Sequence, residues 1–206
     1  MDFKNVLVLA PHTDDGELGA GGTISRLLRS GAKVSYAAFS TAEESVPEGL
    51  PKDILKTEVK NATQRLGIDD LIVFNYPVRK LNFYRQEILE SLIDLRKNNY
   101  DLILVPSTTD VHQDHATITT EAIRAFKTTS ILGYELIWNN LSFNTTCFIH
   151  LKKSDLENKI QALSEYKSQN HRVYMSDDFI YSLAKVRGVQ VGKEFAEVFE
   201  VIRWML

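Results

Sequence analysis

The sequence predicts an α/β fold: a mostly parallel sheet with helices on both faces. Two observations predict it. Short, continuous apolar runs alternate along the chain with longer segments that carry apolar residues at helical spacing. The runs also lack the in-out alternation of a half-exposed sheet, so their strands are buried on both faces, as in parallel sheets. Right-handed βαβ crossovers follow from that order.

Each element has its own signal. Val6-Leu7-Val8-Leu9-Ala10 is a central strand. Leu18, Ile24, Leu27 and Leu28 mark a helix that stops near Gly31. Residues 34–39 form a second strand. Residues 57–66 form a second helix, stopped by Gly67. Residues 71–74 are a third strand, and Ile88, Leu89, Leu92, Ile93 and Leu95 space out a third helix. Residues 102–106 are a fourth strand, with a helix starting near Asp114. The last third is less regular: strands at 131–138 and 147–151, a helix at 156–166, a final strand at 195–202. Residues 43–52, with Pro47, Gly49 and Pro51, read as an exposed loop and a candidate substrate lid. The arrangement is Rossmann-like, and 1–206 reads as a single domain.

Composition narrows the function classes. A chain of 206 residues with 44% hydrophobic residues can bury one substantial core. Net charge is −3 and the basic residues are scattered, which gives no electrostatic footprint for nucleic acid. Cys147 is the only cysteine, so neither an internal disulfide nor a Cys-rich zinc module can form. No apolar run approaches the ~20 residues that a membrane span needs, and the first residues lack a leader signature. The expected location is cytoplasmic. Nothing in the sequence speaks to oligomeric state.

The chemistry sits in two clusters. Pro11-His12-Thr13-Asp14-Asp15-Gly16-Glu17 follows the first strand, and Asp110-Val111-His112-Gln113-Asp114-His115 follows the fourth. Open α/β sheets bind ligands beyond the carboxyl ends of their strands, so the two clusters can converge. Catalytic zinc takes three His or carboxylate ligands and leaves one position open. His12, Asp15 and His115 would supply such a set. Asp14 is then left as acceptor for a water proton, and His112 as acid or oxyanion donor. Asp114 could hold the His112 imidazole and set its tautomer. Each motif alone is weak, because Asp at a helix start is often only an N-cap. Gly19-Ala20-Gly21-Gly22-Thr23 is no dinucleotide fingerprint, since Ile24 stands where a third glycine is required and three acidic residues precede it. Those glycines let the helix pack closely on the sheet.

The sequence resembles the PIG-L/LmbE-like family of zinc-dependent N-deacetylases. The resemblance rests on Pro11 to Asp15, Gly19 to Thr23 and His112 to His115, and continues through Tyr166-Lys167-Ser168-Gln169 and Ala196-Glu197-Val198-Phe199. It implies an LmbE-like fold and removal of acetyl from an N-acetylated amino sugar, a small-molecule substrate. It also implies His12, Asp15 and His115 as ligands of Zn²⁺, with Fe²⁺ as the alternative ion. Asp14 matches the general base, His112 the acid or oxyanion stabiliser, and Asp114 the residue that orients His112. Thr13, Gly16 and Gln113 depart from the common pattern without removing a ligand or catalytic position.

Substrate contacts are harder to read. Arg79 after the third strand could meet a sugar hydroxyl or phosphate; Arg85, Arg172 and Arg187 are equally ambiguous. His150 and His171 read as a strand and a loop histidine, Cys147 as an inert apolar residue. Competing readings are a deacylase of another small N-acyl metabolite, a phosphoesterase, and a non-catalytic sugar-binding protein on the same fold.

Overall fold

A computed structural model of the chain describes residues 3–205. Seven strands form one sheet in the order β3-β2-β1-β4-β5-β7-β6. They are β1 (Asn5–His12), β2 (Lys33–Ser40), β3 (Asp70–Val73), β4 (Leu102–Pro106), β5 (Ser130–Tyr134), β6 (Cys147–Leu151) and β7 (Phe195–Arg203). The first five run parallel, β7 pairs antiparallel with β5, and β6 pairs antiparallel with β7. Six helices accompany them: α1 (Asp15–Arg29), α2 (Ile54–Leu66), α3 (Arg85–Leu95), α4 (Gln113–Ala125), α5 (Lys153–Leu163) and α6 (Asp177–Val189).

The apolar run in β1 explains the layering. Val6, Val8 and Ala10 face one core with α1, α2, α5 and α6, while Leu7 and Leu9 face another with α3 and α4. All five are fully buried, because a parallel strand covered on both sides has no polar face to offer. The chain builds β2 and β3 on one side of β1 and then crosses to β4 on the other. The carboxyl ends of β1 and β4 are therefore adjacent, at a topological switch point.

The α1 glycines pack as expected. A Cβ on Gly19 would lie 2.2 Å from Cδ2 of Tyr134, and one on Gly22 2.5 Å from Cδ1 of Leu151. The helix can approach β5 and β6 this closely only without side chains there.

Three elements differ from the sequence expectation. β5 ends at Tyr134 rather than 138, since its partner β4 ends at Pro106, opposite Tyr134. Beyond it the chain turns, with Leu136 N–H donating to Asn140 Oδ1 at 2.9 Å. α5 covers 153–163, so Tyr166 lies beyond it. Helix α6 had no predicted counterpart. Among the described residues no helix is long and apolar enough to cross a membrane.

Candidate metal centre and active site

The first cluster straddles the junction of β1 and α1. His12 is the last residue of β1, paired with Ser40 of β2. Asp14 occupies the N-cap position of α1, yet its carboxylate makes no capping hydrogen bond. The ordinary reason for an aspartate at this place is therefore missing. Asp15 opens α1 and accepts the His12 backbone N–H on Oδ2 at 2.8 Å.

The second cluster comes from the loop after β4. His112 caps α4, its Nδ1 accepting the Asp114 N–H at 3.2 Å. A ring nitrogen that accepts carries no proton, so the neutral ring carries its proton on Nε2. Buried His115 lies in the first turn of α4 and donates from Nδ1 to Asp110 Oδ2, 2.7 Å away.

The two clusters meet. Asp15 Oδ2 lies 3.1 Å from His12 Nδ1 and 3.2 Å from His115 Nε2, and those two nitrogens are 3.2 Å apart. A tetrahedral ion with bonds of about 2.0 Å spaces its ligands roughly 3.3 Å apart. The triangle thus has the size and the donor chemistry of a three-ligand site for a small divalent cation. His112 stands close enough that His12, His112 and His115 could also hold an ion, their ligand atoms lying within 4.8 Å of one another.

Electrostatics agree with a cation at this place. Burial pushes the His12 imidazole down, but the Asp15 charge and hydrogen bonds to Asp114 and Asp15 outweigh it and lift the group to about 9. Burial likewise opposes protonation of His115, which Asp15 and Asp110 raise to about 10. Against its burial, Asp15 is held well below the usual carboxylate range by the two imidazoles. Asp14 is pushed up to about 6, chiefly by burial and then by the Asp15 charge. Burial lowers His112, with the neighbouring His115 and His12 acting in the same direction.

Asp114 is placed differently from the sequence expectation. Its carboxylate does not reach the His112 imidazole. Oδ2 sits 3.0 Å from His12 Nε2 and accepts the Arg79 N–H at 2.6 Å, while Oδ1 accepts the Leu81 N–H at 3.2 Å. Only the Asp114 backbone hydrogen-bonds to His112, since the carboxylate is taken up by His12 and the backbone of Arg79 and Leu81. Asp110, at first only one acid in the motif, is the carboxylate that orients an imidazole. Its spacing of five residues from His115 gave no helical cue, since Asp110 precedes α4.

A cleft of about 340 Å³ opens over the triangle. Its lining includes His12, Asp14, Asp15, Arg79, His112 and His115, and also Arg172. Trp138 and Tyr174 stack at one wall, ring centroids 3.9 Å apart. Ala42 and Ser45 bring the start of the 43–52 region to the cleft edge. The other two arginines are tied up elsewhere: Arg85 pairs with buried Glu121 at 2.6 Å, and Arg187 with Glu135. His150 in β6 meets Arg26 at 3.1 Å, away from the cleft.

The model of the PIG-L family, described as GlcNAc-PI de-N-acetylase, matches residues 7–126. An uncharacterized deacetylase, YaiS, of Escherichia coli (strain K12) is 27% identical over 172 residues, which cover 80% of this chain and 91% of that protein. A probable N-acetyl-alpha-D-glucosaminyl L-malate deacetylase 2 of Bacillus cereus is 29% identical over 139 residues, 59% of this chain and 60% of its own length. The solved N,N'-diacetylchitobiose deacetylase of Pyrococcus horikoshii, complexed with its inhibitor MPG, matches with a TM-score of 0.82 at 22% identity. That match covers 98% of this chain and 84% of the other. With a family match over more than half of the sequence, this chain belongs to the PIG-L family.

Proposed function

We propose that this protein is a metal-dependent N-deacetylase that removes acetyl from an N-acetylated amino sugar in the cytoplasm. The observation that carries the proposal is the triangle of Asp15 Oδ2, His12 Nδ1 and His115 Nε2, with sides of 3.1 to 3.2 Å, at a cleft that Asp14 and His112 also line. The named activities of the Bacillus and Pyrococcus proteins support the choice of substrate class.

His12, Asp15 and His115 would hold the ion, Zn²⁺ by donor type, with Fe²⁺ as the alternative. When bound, such an ion supplies Lewis acidity, polarising a carbonyl and lowering the pKa of water. Asp14 takes the proton of the attacking water as its oxygen bonds to the acetyl carbon. The carbonyl π electrons move to oxygen, and the Nε2–H of His112 donates to that oxyanion. The oxyanion re-forms the carbonyl as the carbon–nitrogen bond breaks. The proton held by Asp14 passes to the leaving nitrogen. Water and amide are thereby converted to acetate and a free amino sugar. Asp114 and Asp110 act at one remove, fixing His12 and His115.

The test is metal content together with acetate release on a panel of N-acetyl sugars, other N-acyl metabolites and phosphate esters. Asp14→Ala should retain the metal and lose at least about a hundredfold in turnover. His115→Ala should lose tight metal binding. Wild-type turnover in Asp14→Ala would remove Asp14 as the base, and full metal occupancy in His115→Ala would remove the ligand set.

A further inference from the structure

We infer that the natural substrate carries an anionic group, a phosphate ester or a carboxylate, on the part of the molecule that projects away from the acetamide, and that Arg79 and Arg172 recognise it. The inference rests on the deacetylase reading for the position of the acetamide.

Two guanidinium groups line the cleft. Arg79 comes from the loop after β3, on the β2 side of β1. Arg172 precedes Tyr174, whose ring stacks on Trp138 of the loop after β5, on the β4 side. The cations therefore reach the cleft from the two flanks of the β1–β4 junction. Among the described residues neither makes an ion pair with a carboxylate, whereas Arg29, Arg85, Arg124 and Arg187 all do. Their partners are neutral: Arg79 donates to Ser45 Oγ at 3.1 Å, and Arg172 donates from Nε to Gln169 Oε1 at 2.6 Å and from Nη1 to the Tyr174 hydroxyl. Such contacts orient a guanidinium without an ion pair that would occupy it.

The backbone adds a second observation. Ala42, Arg79 and Asn99 are the non-glycine residues with positive φ among those described, at 48°, 65° and 56°. Ala42 and Arg79 both line the cleft. A left-handed conformation costs an L-residue about 1–2 kcal/mol, and it persists where the surroundings impose it. At Arg79 the surroundings are Asp114, whose Oδ2 accepts the Arg79 N–H at 2.6 Å while also meeting His12 Nε2. One carboxylate thus fixes Arg79 relative to a residue of the metal triangle.

Charge balance points the same way. With the imidazoles neutral, as metal ligands must be, the cleft lining carries Asp14 and Asp15 against Arg79 and Arg172, an even balance apart from the ion. A divalent cation in the triangle turns the cleft net positive within a chain of net charge −3. Such a site attracts anions and holds phosphate or carboxylate through paired N–H donors.

Two readouts on the metal-loaded protein test this. The first is steady-state acetate release from three matched substrates: methyl N-acetylglucosaminide, its carboxymethyl glycoside, and N-acetylglucosamine 1-phosphate. The second is calorimetric binding of the corresponding deacetylated compounds. The expected result is a kcat/KM at least about tenfold higher for one or both anionic substrates, expressed mainly in KM, with a parallel difference in product affinity. The arm with the larger preference identifies phosphate or carboxylate. Arg172→Gln and Arg79→Gln should each shrink the anionic-to-neutral ratio severalfold, and Arg172→Lys should restore part of it. Equal kcat/KM for neutral and anionic substrates in the wild type would overturn the inference and leave the deacetylase reading intact. A fall in kcat shared by all three substrates in Arg172→Gln, at constant ratio, would also overturn it, since Arg172 would then serve the reaction common to all three and not the anion. If no substrate releases acetate, the deacetylase reading fails, and the calorimetric anionic-to-neutral difference still decides whether the two arginines bind an anion.

Discussion

Asp110 Oδ2 lies 2.7 Å from His115 Nδ1, and this contact decides which nitrogen of His115 faces the cleft. An ionised carboxylate only accepts, so Nδ1 carries the proton and, in the neutral ring that a metal ion requires, the Nε2 lone pair is left at the triangle. Asp110 Oδ1 meanwhile accepts the His112 N–H at 2.8 Å, so one side chain fixes two histidines. Asp110→Ala should weaken metal binding about 10–100-fold. Competition against a chromophoric chelator measures this, with thermal unfolding of the metal-free variant as a check on folding. Unchanged affinity would mean that packing alone orients His115.

Asp114 shows how far the sequence could be read. The spacing of His112, Asp114 and His115 announced a strand-end cluster, and the structure brings these residues to His12 and Asp15. It did not announce what Asp114 touches, because its partners Arg79 and Leu81 lie more than thirty positions away in sequence. Long-range pairing of a carboxylate with backbone N–H groups leaves no local pattern. The two placements predict different outcomes for Asp114→Asn. A carboxylate on the His112 imidazole would show its loss in the pH–rate profile alone. The observed carboxylate receives two backbone donors and an imidazole. An amide has only one oxygen, so at least one donor loses its acceptor. Metal affinity should therefore fall by about tenfold or more. An unaltered chelator titration would remove this role for Asp114.

The parallel half of the fold was legible because its strands are continuous apolar runs and its helices carry wide apolar stripes. Helix α6 was not, and its burial explains why. Only Ile180, Ala184 and Gly188 are buried there, a single narrow line at every fourth residue. Val186 and Val189 are 58% and 71% exposed, so apolar residues fall on both faces and blur the helical period. The glycines of α1 were legible for the opposite reason: their packing role follows from having no side chain. A Cβ on Gly19 would lie 2.2 Å from Cδ2 and 2.6 Å from Cγ of Tyr134, a fully buried ring tethered through its hydroxyl to Leu9 O at 2.9 Å. Gly19→Ala should thus destabilise by about 1–3 kcal/mol despite the better helix propensity of alanine. For a chain of this size each kcal/mol lowers Tm by roughly 2–4 °C. A Tm at or above wild type would show that Tyr134 can move aside.

Beneath the site, Glu17 gives a prediction about pH. The hydroxyls of Tyr36 and Tyr166 each contact both the Thr13 carbonyl and a Glu17 oxygen, Tyr166 at 2.6 and 2.9 Å. That makes four oxygen–oxygen contacts, and two phenols supply only two protons. A protonated Glu17 supplies a third, so the network can accommodate the acid form. Burial raises the group from 4.5 to about 8, against the Tyr36 and Tyr166 hydroxyls, which favour the ionised form. The folded state therefore binds a proton that the unfolded state releases above pH 4.5, and stability falls as pH rises from about 4.5 to about 8. Glu17→Gln keeps the shape, supplies donors through its amide and does not titrate. Relative to wild type, the variant should gain stability between pH 5 and pH 7.5. Denaturant unfolding of both metal-free proteins at the two pH values measures the difference, in which the shared titrations of His12 and His115 cancel. A difference that stays constant with pH would mean that Glu17 is ionised in the folded protein, with two of the four contacts in the network made without a proton.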